Sequence, residues 1–174
     1  MNRIISPMID SITRLVGTIH IGCALFKNIH IILCPSFVIG ETIFLTLYTL
    51  TPISWIICKD ECFISYCIKK INNPQYNLGN EPYNYKDIRA ICYNDFIYNV
   101  IFHTNTLLEV LTVLTIKNRH ERLNTINVYF GLIIKMMYIY DIKYNINFRK
   151  IIHPFFQIAM SSSFLWLLFQ WYFY

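Results

Sequence analysis

The chain has 174 residues, of which 55% are hydrophobic and 14% are charged, with a formal net charge of +5. This length fits one compact unit, but a soluble domain would carry charge on about a quarter of its residues, so the composition disfavours a soluble protein. The positive charge suits contact with anionic lipid headgroups. Because the sequence has no lysine-rich tract and no basic patch interleaved with aromatic residues, we do not expect nucleic-acid binding.

The amino-acid composition also carries a bias that has nothing to do with folding. Isoleucine, asparagine, phenylalanine and tyrosine are abundant, whereas alanine, glycine and arginine are scarce, as in proteins encoded by AT-rich genomes. That bias raises isoleucine and phenylalanine in any protein, so the fold has to be predicted from the lengths of the apolar segments. A helix needs about 20 mostly apolar residues to cross the hydrocarbon core of a bilayer.

Five apolar segments follow one another along the chain, at residues 12–34, 36–58, 93–116, 123–141 and 151–173. The first segment is the weakest, because its apolar part, 12–26, is short and carries Arg14 and His20, and a short turn is expected near Lys27 and Asn28. The sequence therefore predicts an all-α protein, a polytopic transmembrane helical bundle of four to five spans that forms a single membrane domain over residues 1–174. A soluble bundle of very apolar helices is the alternative, and it is disfavoured because the last segment offers no polar face to water.

The lysines and arginines outside the spans predict the orientation of the chain, because cytoplasmic loops are rich in them. With five spans, one side of the membrane would hold nine of these residues and the other side four: Lys27, Lys117, Arg119 and Arg122. We therefore expect a cytoplasmic N-terminus and a C-terminus on the other side. The aromatic residues crowded into positions 164–174 are typical of a membrane interface.

Residues 59–90 are the one sizeable polar segment between the predicted spans. Asn-Asn-Pro and Asn-Glu-Pro turn signals predict a short helix followed by a loop. We expect this segment to lie on the membrane or against the bundle and to act as a contact surface. Its acidic pair, Asp60 and Glu61, stands close to Lys69 and Lys70, and we interpret these residues as the solvated end of a helix.

Three cysteines, Cys58, Cys62 and Cys67, lie where the second span meets this polar segment. On a continuous helix Cys58, Glu61, Cys62 and Ser65 would share one face, with Cys67 on the opposite side. Cys58 and Cys62 have the spacing of half a zinc site, but no second half follows, so we do not expect a metal. Because the predicted orientation places them in the cytoplasm, the three cysteines are candidates for S-acylation. The alternative is that they are plain helix-end residues.

The stretch from Trp55 to Ser65 also carries a resemblance to other proteins. A tryptophan near the end of a span, followed by Glu-Cys, a hydrophobic pair and a serine, resembles small uncharacterised multi-pass membrane proteins of giant DNA viruses. The AT-rich composition fits such a source, and it fits equally well an organellar genome that encodes small subunits of respiratory complexes. The resemblance implies a membrane location and no particular activity.

Ionisable side chains inside spans are costly, so they are candidates for functional residues. The candidates here are Glu41, Asp95, His103, Glu109 and Lys135. Helical spacing aligns Asp95, His103 and their polar neighbours along one stripe of the third span, and Lys135 lies on a similar stripe of the fourth. We expect the two helices to be antiparallel neighbours with both stripes facing into the bundle. Lys135 can then reach Glu109 or His103.

Glu41 stands apart from the two stripes, in the second span. We expect its carboxylate to pair with His20 or His30, or to lie near a membrane interface. The intramembrane polar residues as a group have two interpretations. They are either interhelical hydrogen bonds and ion pairs that fix the packing of the helices, or parts of an ion path or of a pocket for a polar ligand.

Two functions follow from these features. The first is a structural or interaction role in a viral or organellar membrane, with the lipid bilayer, other membrane proteins or further copies of the chain as partners. The alternative is a small ion or proton channel or transporter. An enzyme is less expected, since the histidines are dispersed and the sequence lacks a glycine-rich phosphate loop and a serine nucleophile motif. An acyl-transfer role for Cys62 with Glu61 stays open, although no histidine lies nearby in sequence to act as a base. We therefore predict no catalytic residue, metal or cofactor.

Overall fold

The computed structural model describes residues 2–34, 38–92, 94–144 and 148–173, and these residues form helices and no strand. Side chains are described for all of these residues except 2–6 and 148–153. The all-α prediction is therefore confirmed for the described part of the chain. Its helices, in chain order, are α1 (Asn2–Leu33), α2 (Val38–Ile57), α3 (Phe63–Asn72), α4 (Lys86–Arg89), α5 (Asp95–Arg119), α6 (Thr125–Tyr144) and α7 (Phe148–Phe173).

Contacts between the long helices fix their relative directions. The start of α2 meets the end of α5, where Arg119 Nη1 donates to Glu41 Oε1 over 2.8 Å. The start of α2 also meets the end of α7, where Trp171 Nε1 donates to Thr42 Oγ1 over 2.9 Å. α1 runs in the same direction as α5, since α1 ends where Arg119 donates to the carbonyl of Ile31 over 3.1 Å. The helices α1, α5 and α7 therefore oppose α2.

α6 completes this alternation by running alongside α2. Near the middle of α6, Lys135 lies against Tyr48 of α2, with its Nζ 3.7 Å from the centre of the ring. Further along, Tyr138 donates to the carboxylate of Asp60, which follows α2. A buried apolar cluster holds α2, α5, α6 and α7 together, and Phe44, Val113 and Phe164 are among its members. α5 makes most of its contacts with α1, and α6 makes most of its contacts with α7.

The segment after α2 does not continue as a helix. α2 ends at Ile57, and Lys59 and Asp60 adopt positive φ angles of 53° and 69°. These angles turn the chain sharply before α3 begins at Phe63. The prediction that Cys58 and Cys62 share a face of one continuous helix is therefore wrong, because the turn between them reorients the backbone.

The polar segment has a buried core of its own, so its interpretation as a solvated helix end is wrong at Glu61 and Lys69. Glu61 is fully buried, and Lys69 Nζ donates to its Oε1 over 2.5 Å. Tyr76 donates its hydroxyl proton to the same oxygen over 2.9 Å, and the backbone N–H of Gly79 donates to Oε2 over 2.9 Å. Three donors thus surround one carboxylate, which makes its burial tolerable.

The polar segment also packs tightly against α1. A Cβ atom at Gly17 would lie 2.1 Å from the backbone oxygen of Asp87, so a residue larger than glycine would push α4 away from α1. This close approach places the side chain of Asp87 beside His20, one turn further along α1. The predicted position of this segment against the bundle agrees with the structure.

Candidate functional site

A cavity of about 580 Å³ lies between α1, α2, α5, α6 and the polar segment. Its size is within the range of small-molecule pockets, and most of its wall is apolar. Two polar clusters contribute to the wall. We call the first the ionic end (Lys27, Glu109 and Lys135) and the second the thiol end (Cys62 and His20, with Asp87 behind His20). His20 and Lys27 are two helical turns apart on α1, which is about 10 Å.

The ionic end is a compact group of opposite charges. Lys135 Nζ lies 2.9 Å from Glu109 Oε1, and Lys27 Nζ lies 3.5 Å from the same oxygen. Glu109 is 6% exposed and Lys135 is 1% exposed. Of the two acceptors expected for Lys135, the structure supplies Glu109 and not His103. Lys27 was expected in a loop, but α1 continues as a helix to Leu33 and carries Lys27 into the bundle.

Glu41 forms a separate cluster at the far end of the bundle. Its two oxygens contact Arg119 Nη1 at 2.8 Å and His120 Nε2 at 2.6 Å. The expectation that Glu41 pairs with His20 or His30 is therefore wrong. The cause is the alternating direction of the helices, which brings the end of α5 to the start of α2. Arg119 and His120 were expected in the turn after the third span. In the structure both side chains contact the carboxylate of Glu41.

The two remaining candidates of the third span do not reach the cavity centre. His103 Nδ1 lies 3.0 Å from the hydroxyl of Tyr140 in α6. The side chain of Asp95 is 78% exposed and pairs with Arg89 at 2.7 Å. The prediction that the whole stripe faces into the bundle is therefore wrong at Asp95, which lies in the first turn of α5 at the rim of the bundle.

The thiol end brings together three side chains that are far apart in sequence. Asp87 Oδ2 lies 2.7 Å from His20 Nδ1, and His20 Nε2 lies 4.0 Å from Cys62 Sγ. Asp87 is fully buried and Cys62 is 8% exposed. Ser65 donates its hydroxyl proton to the second oxygen of Asp87. The imidazole of His20 is thus held between a carboxylate on one side and a thiol on the other.

The charge of Asp87 orients the ring of His20. Burial acts to raise the pKa of Asp87, but hydrogen bonds from His20 and Ser65 outweigh it and hold the pKa of this carboxyl below its ordinary value. Asp87 is therefore ionised at neutral pH and accepts a hydrogen bond from the N–H at His20 Nδ1. Nε2, on the other side of the ring, then faces the sulfur of Cys62.

The three cysteines considered for S-acylation differ in exposure. Cys58 and Cys67 are partly exposed, whereas Cys62 is buried against His20. Burial raises the pKa of the Cys58 thiol above its ordinary value, and the nearby Cys62 and Glu61 add to that effect. An acyl chain attached from the membrane surface would therefore reach Cys58 or Cys67 more readily than Cys62.

Sequence reasoning singled out Cys62 but missed its partners. His20 precedes Cys62 by 42 residues, and Asp87 lies beyond the turn signals of the polar segment. One signal could have pointed to His20, which is an ionisable residue in an otherwise apolar segment. No spacing rule connects it with Asp87. Among the described residues, no group of three or more His, Cys, Asp or Glu side chains could hold a metal ion.

Comparisons with protein-family models, with curated proteins and with solved structures found no match. The resemblance of residues 55–65 to proteins of giant DNA viruses stays a prediction. The function of the site therefore has to be inferred from its own geometry.

Proposed function

We propose that this chain is a multi-pass integral membrane protein in which α1, α2, α5, α6 and α7 cross the bilayer. Its role is structural or one of interaction with other membrane proteins. Among the described residues, two helical segments, Pro7–Leu33 and Asp95–Arg119, are long and apolar enough by length and composition to span a membrane. We propose that three further helices, α2, α6 and α7, also cross the membrane. They correspond to the predicted spans 36–58, 123–141 and 151–173.

The observation that carries the proposal is the distribution of apolar and charged side chains. Water-soluble proteins bury large apolar residues and rarely bury charged ones completely. Here the buried residues include Glu41, Glu109 and Lys135. The outer faces of all five long helices expose large apolar side chains, such as Leu15, Ile19, Ile39, Ile43, Phe96, Leu107, Ile126, Ile133, Phe155 and Leu165. This arrangement suits hydrocarbon around the protein and paired charges within it.

Polar contacts between the long helices support a structural role for the buried polar groups. Asn127 Nδ2 of α6 donates to the carbonyl of Ser163 in α7 over 3.1 Å, and Ser163 Oγ donates back to Asn127 Oδ1 over 3.0 Å. Gly131 lets α7 approach this point closely, since a Cβ there would lie 2.9 Å from Ser163 Oγ. Small residues and side-chain amides of this kind hold membrane helices together. We infer that Glu109 and Lys135 serve the same purpose.

The proposed orientation has the N-terminus in the cytoplasm and makes a direct prediction for the native cysteines. Cys34 is exposed directly after α1, and Cys58 and Cys67 are partly exposed after α2. If α2 crosses the membrane, these two positions lie on opposite sides. In sealed vesicles of known sidedness, a membrane-impermeant maleimide should label Cys58 and Cys67 from the cytoplasmic side and Cys34 from the other side.

The matched controls are Cys34→Ser, which should remove the second signal alone, and labelling in detergent, which should reach both positions. Peptide mass spectrometry assigns each label to its cysteine. Labelling of Cys34 and Cys58 from the same side would show that α2 does not cross. Labelling from opposite sides with the reverse polarity would keep the crossing and invert the orientation.

A channel or transporter is the second candidate, and the cavity is the observation that favours it. The cavity reaches both Glu109 and Lys135 in the middle of the proposed spans. Against it, Lys135 and Lys27 neutralise Glu109 at short distance, so this carboxylate is not a vacant site for a cation. The two functions separate in proteoliposomes. Glu109→Ala should abolish flux in a transporter, and it should change only stability or assembly in a structural protein.

A further inference from the structure

We propose that Cys62, His20 and Asp87 form a catalytic group in which the Cys62 thiolate accepts an acyl group from an ester or thioester bound in the cavity. Cys62 acts as the nucleophile, His20 acts as the base that removes its proton, and Asp87 orients His20. This activity goes beyond the structural role proposed above. It does not depend on the number of helices that cross the membrane.

The geometry is that of an activated nucleophile. A cysteine gains reactivity when a histidine within reach takes its proton and a third group fixes the ring. Here the ring of His20 is fixed by the 2.7 Å contact of its Nδ1 with Asp87, and its Nε2 lies 4.0 Å from the sulfur. Such contacts are often loose in the absence of substrate and tighten when it binds. The order of the three roles in space matches nucleophile, base and orienting carboxylate.

The position of Cys62 on the backbone adds to this reactivity. Cys62 is the residue that precedes the first turn of the ten-residue helix α3. The first backbone hydrogen bond of that helix runs from the N–H of Tyr66 to the carbonyl of Cys62, so the N–H groups of the three residues between them have no acceptor within the helix. The positive end of the helix dipole favours a thiolate at this point. The same N–H groups can stabilise the oxyanion of an acyl-transfer intermediate.

The cavity indicates the chemical class of the substrate. Cys62 and His20 both line it, and most of the wall beyond them is apolar, with Leu47, Trp55 and Ile139 among its residues. A cavity of about 580 Å³ can bury most of a drug-sized molecule. An acyl chain fits these walls, with the reactive carbonyl beside the sulfur. We therefore expect a long-chain acyl compound, either an oxygen ester or a thioester.

The proposed reaction has two steps. In the first, His20 takes the thiol proton, and the sulfur of Cys62 attacks the carbonyl carbon. The bond to the leaving alcohol or thiol breaks, and His20 gives that group its proton. This step leaves a thioester on Cys62. In the second step, His20 removes a proton from water, the hydroxide attacks the thioester, and a carboxylic acid leaves. The Cys62 thiol is regenerated with the proton returned by His20.

The test uses the purified full-length protein in lipid nanodiscs with two probes, a palmitoyl thioester and a palmitoyl aryl ester. We expect a hydroxylamine-sensitive palmitoyl group on Cys62, found by peptide mass spectrometry, and release of palmitic acid. Cys62→Ser should abolish both signals. Cys67→Ser is the matched control and should leave both unchanged. A signal with one probe alone identifies whether the substrate is an ester or a thioester.

The role of His20 needs a separate measurement, because exposed thiols also take up acyl groups without catalysis. His20→Gln should lower the acylation rate of Cys62 by about 100-fold, the scale of general-base catalysis. Unchanged thermal unfolding of the variant would show that the fold is intact. Alkylation provides a second readout that involves no acyl donor. Iodoacetamide should alkylate Cys62 faster in the unaltered protein than in His20→Gln, because the variant lacks the base that removes the thiol proton.

Two results would overturn the proposal. The first is acylation of Cys58 and Cys67 at rates equal to or above that of Cys62, since partial exposure alone explains it. The second is retention of the Cys62 acylation and alkylation rates in a folded His20→Gln protein, because a thiol that needs no base behaves in that way.

Discussion

The ionic end and the thiol end of the cavity use buried charge in different ways. At the ionic end, two lysines surround the single carboxylate of Glu109. At the thiol end, the carboxylate of Asp87 contacts Nδ1 of His20, and Nε2 on the other side of the ring lies 4.0 Å from the weak partner Cys62. Closed ion pairs add packing specificity, whereas a fixed imidazole beside a thiol provides a route for a proton. We therefore infer a structural role for the ionic end and a catalytic role for the thiol end.

The largest expected effect is at the ionic end. Glu109→Ala leaves Lys135 and Lys27 without their shared carboxylate, and removing one partner of a buried pair costs about 3–5 kcal/mol. We expect a loss of that order in the free energy of unfolding, measured by reversible denaturation in mixed micelles. The Cys62 alkylation rate of the protein that remains folded should hardly change.

The control for this prediction also replaces the buried lysine. Glu109→Leu combined with Lys135→Met removes the two most buried charges, keeps similar volumes and leaves only the partly exposed Lys27, so it should recover most of the lost stability. If the double variant is as unstable as Glu109→Ala, the cost arises from shape and not from the unpaired Lys135. The contrast between the two ends would then lose its electrostatic basis.

An intermediate effect is expected at the thiol end from a change in backbone packing. Gly17→Ala places a methyl group 2.1 Å from the backbone oxygen of Asp87, so α4 has to move away from α1. Overpacking of this kind costs about 1–3 kcal/mol. Because the movement also draws Asp87 away from His20, the alkylation rate of Cys62 should fall together with the thermal unfolding temperature.

Gly22 provides the matched control on the same helix, since a Cβ there meets nothing within 4 Å. Gly22→Ala should leave Cys62 reactivity unchanged and should be neutral or slightly stabilising, because alanine favours a helix. A fall in Cys62 reactivity in Gly22→Ala would contradict the assignment of the effect to contact with Asp87.

The smallest expected effect concerns pH. The pKa of Asp87 is below its ordinary value in the folded protein, so its contribution to stability is present above the unfolded pKa of about 3.9 and is lost as the pH falls through the folded pKa. The difference in unfolding temperature between the unaltered protein and Asp87→Asn should therefore shrink as the pH falls below about 4. Asp95→Asn is the control, because an exposed pair contributes little at any pH.

Local patterns predicted much of the fold. Runs of apolar residues predicted helices where α2, α5 and α6 lie. Contact with the protein core or with lipid favours apolar side chains in every turn of such a helix. Spacing also placed Lys135 within reach of Glu109 or His103, at similar depths on consecutive helices, and the structure selects Glu109. The burial of Glu61 was not predicted. Its partners Tyr76 and Gly79 lie in a later, irregular part of the polar segment, and no periodic pattern indicates that they contact Glu61.

The sequence by itself determined the helical class, the order of the long helices and the abundance of apolar surface, because these depend on residues close together in the chain. The tertiary structure alone decided which distant side chains meet. The ring of His20 reaches Cys62 and Asp87 only because Gly17 admits the backbone of Asp87 to α1 and a sharp turn at Lys59 and Asp60 directs α3 towards it. Contacts between residues that are far apart in sequence depend on packing, and packing leaves no periodic signal in the sequence.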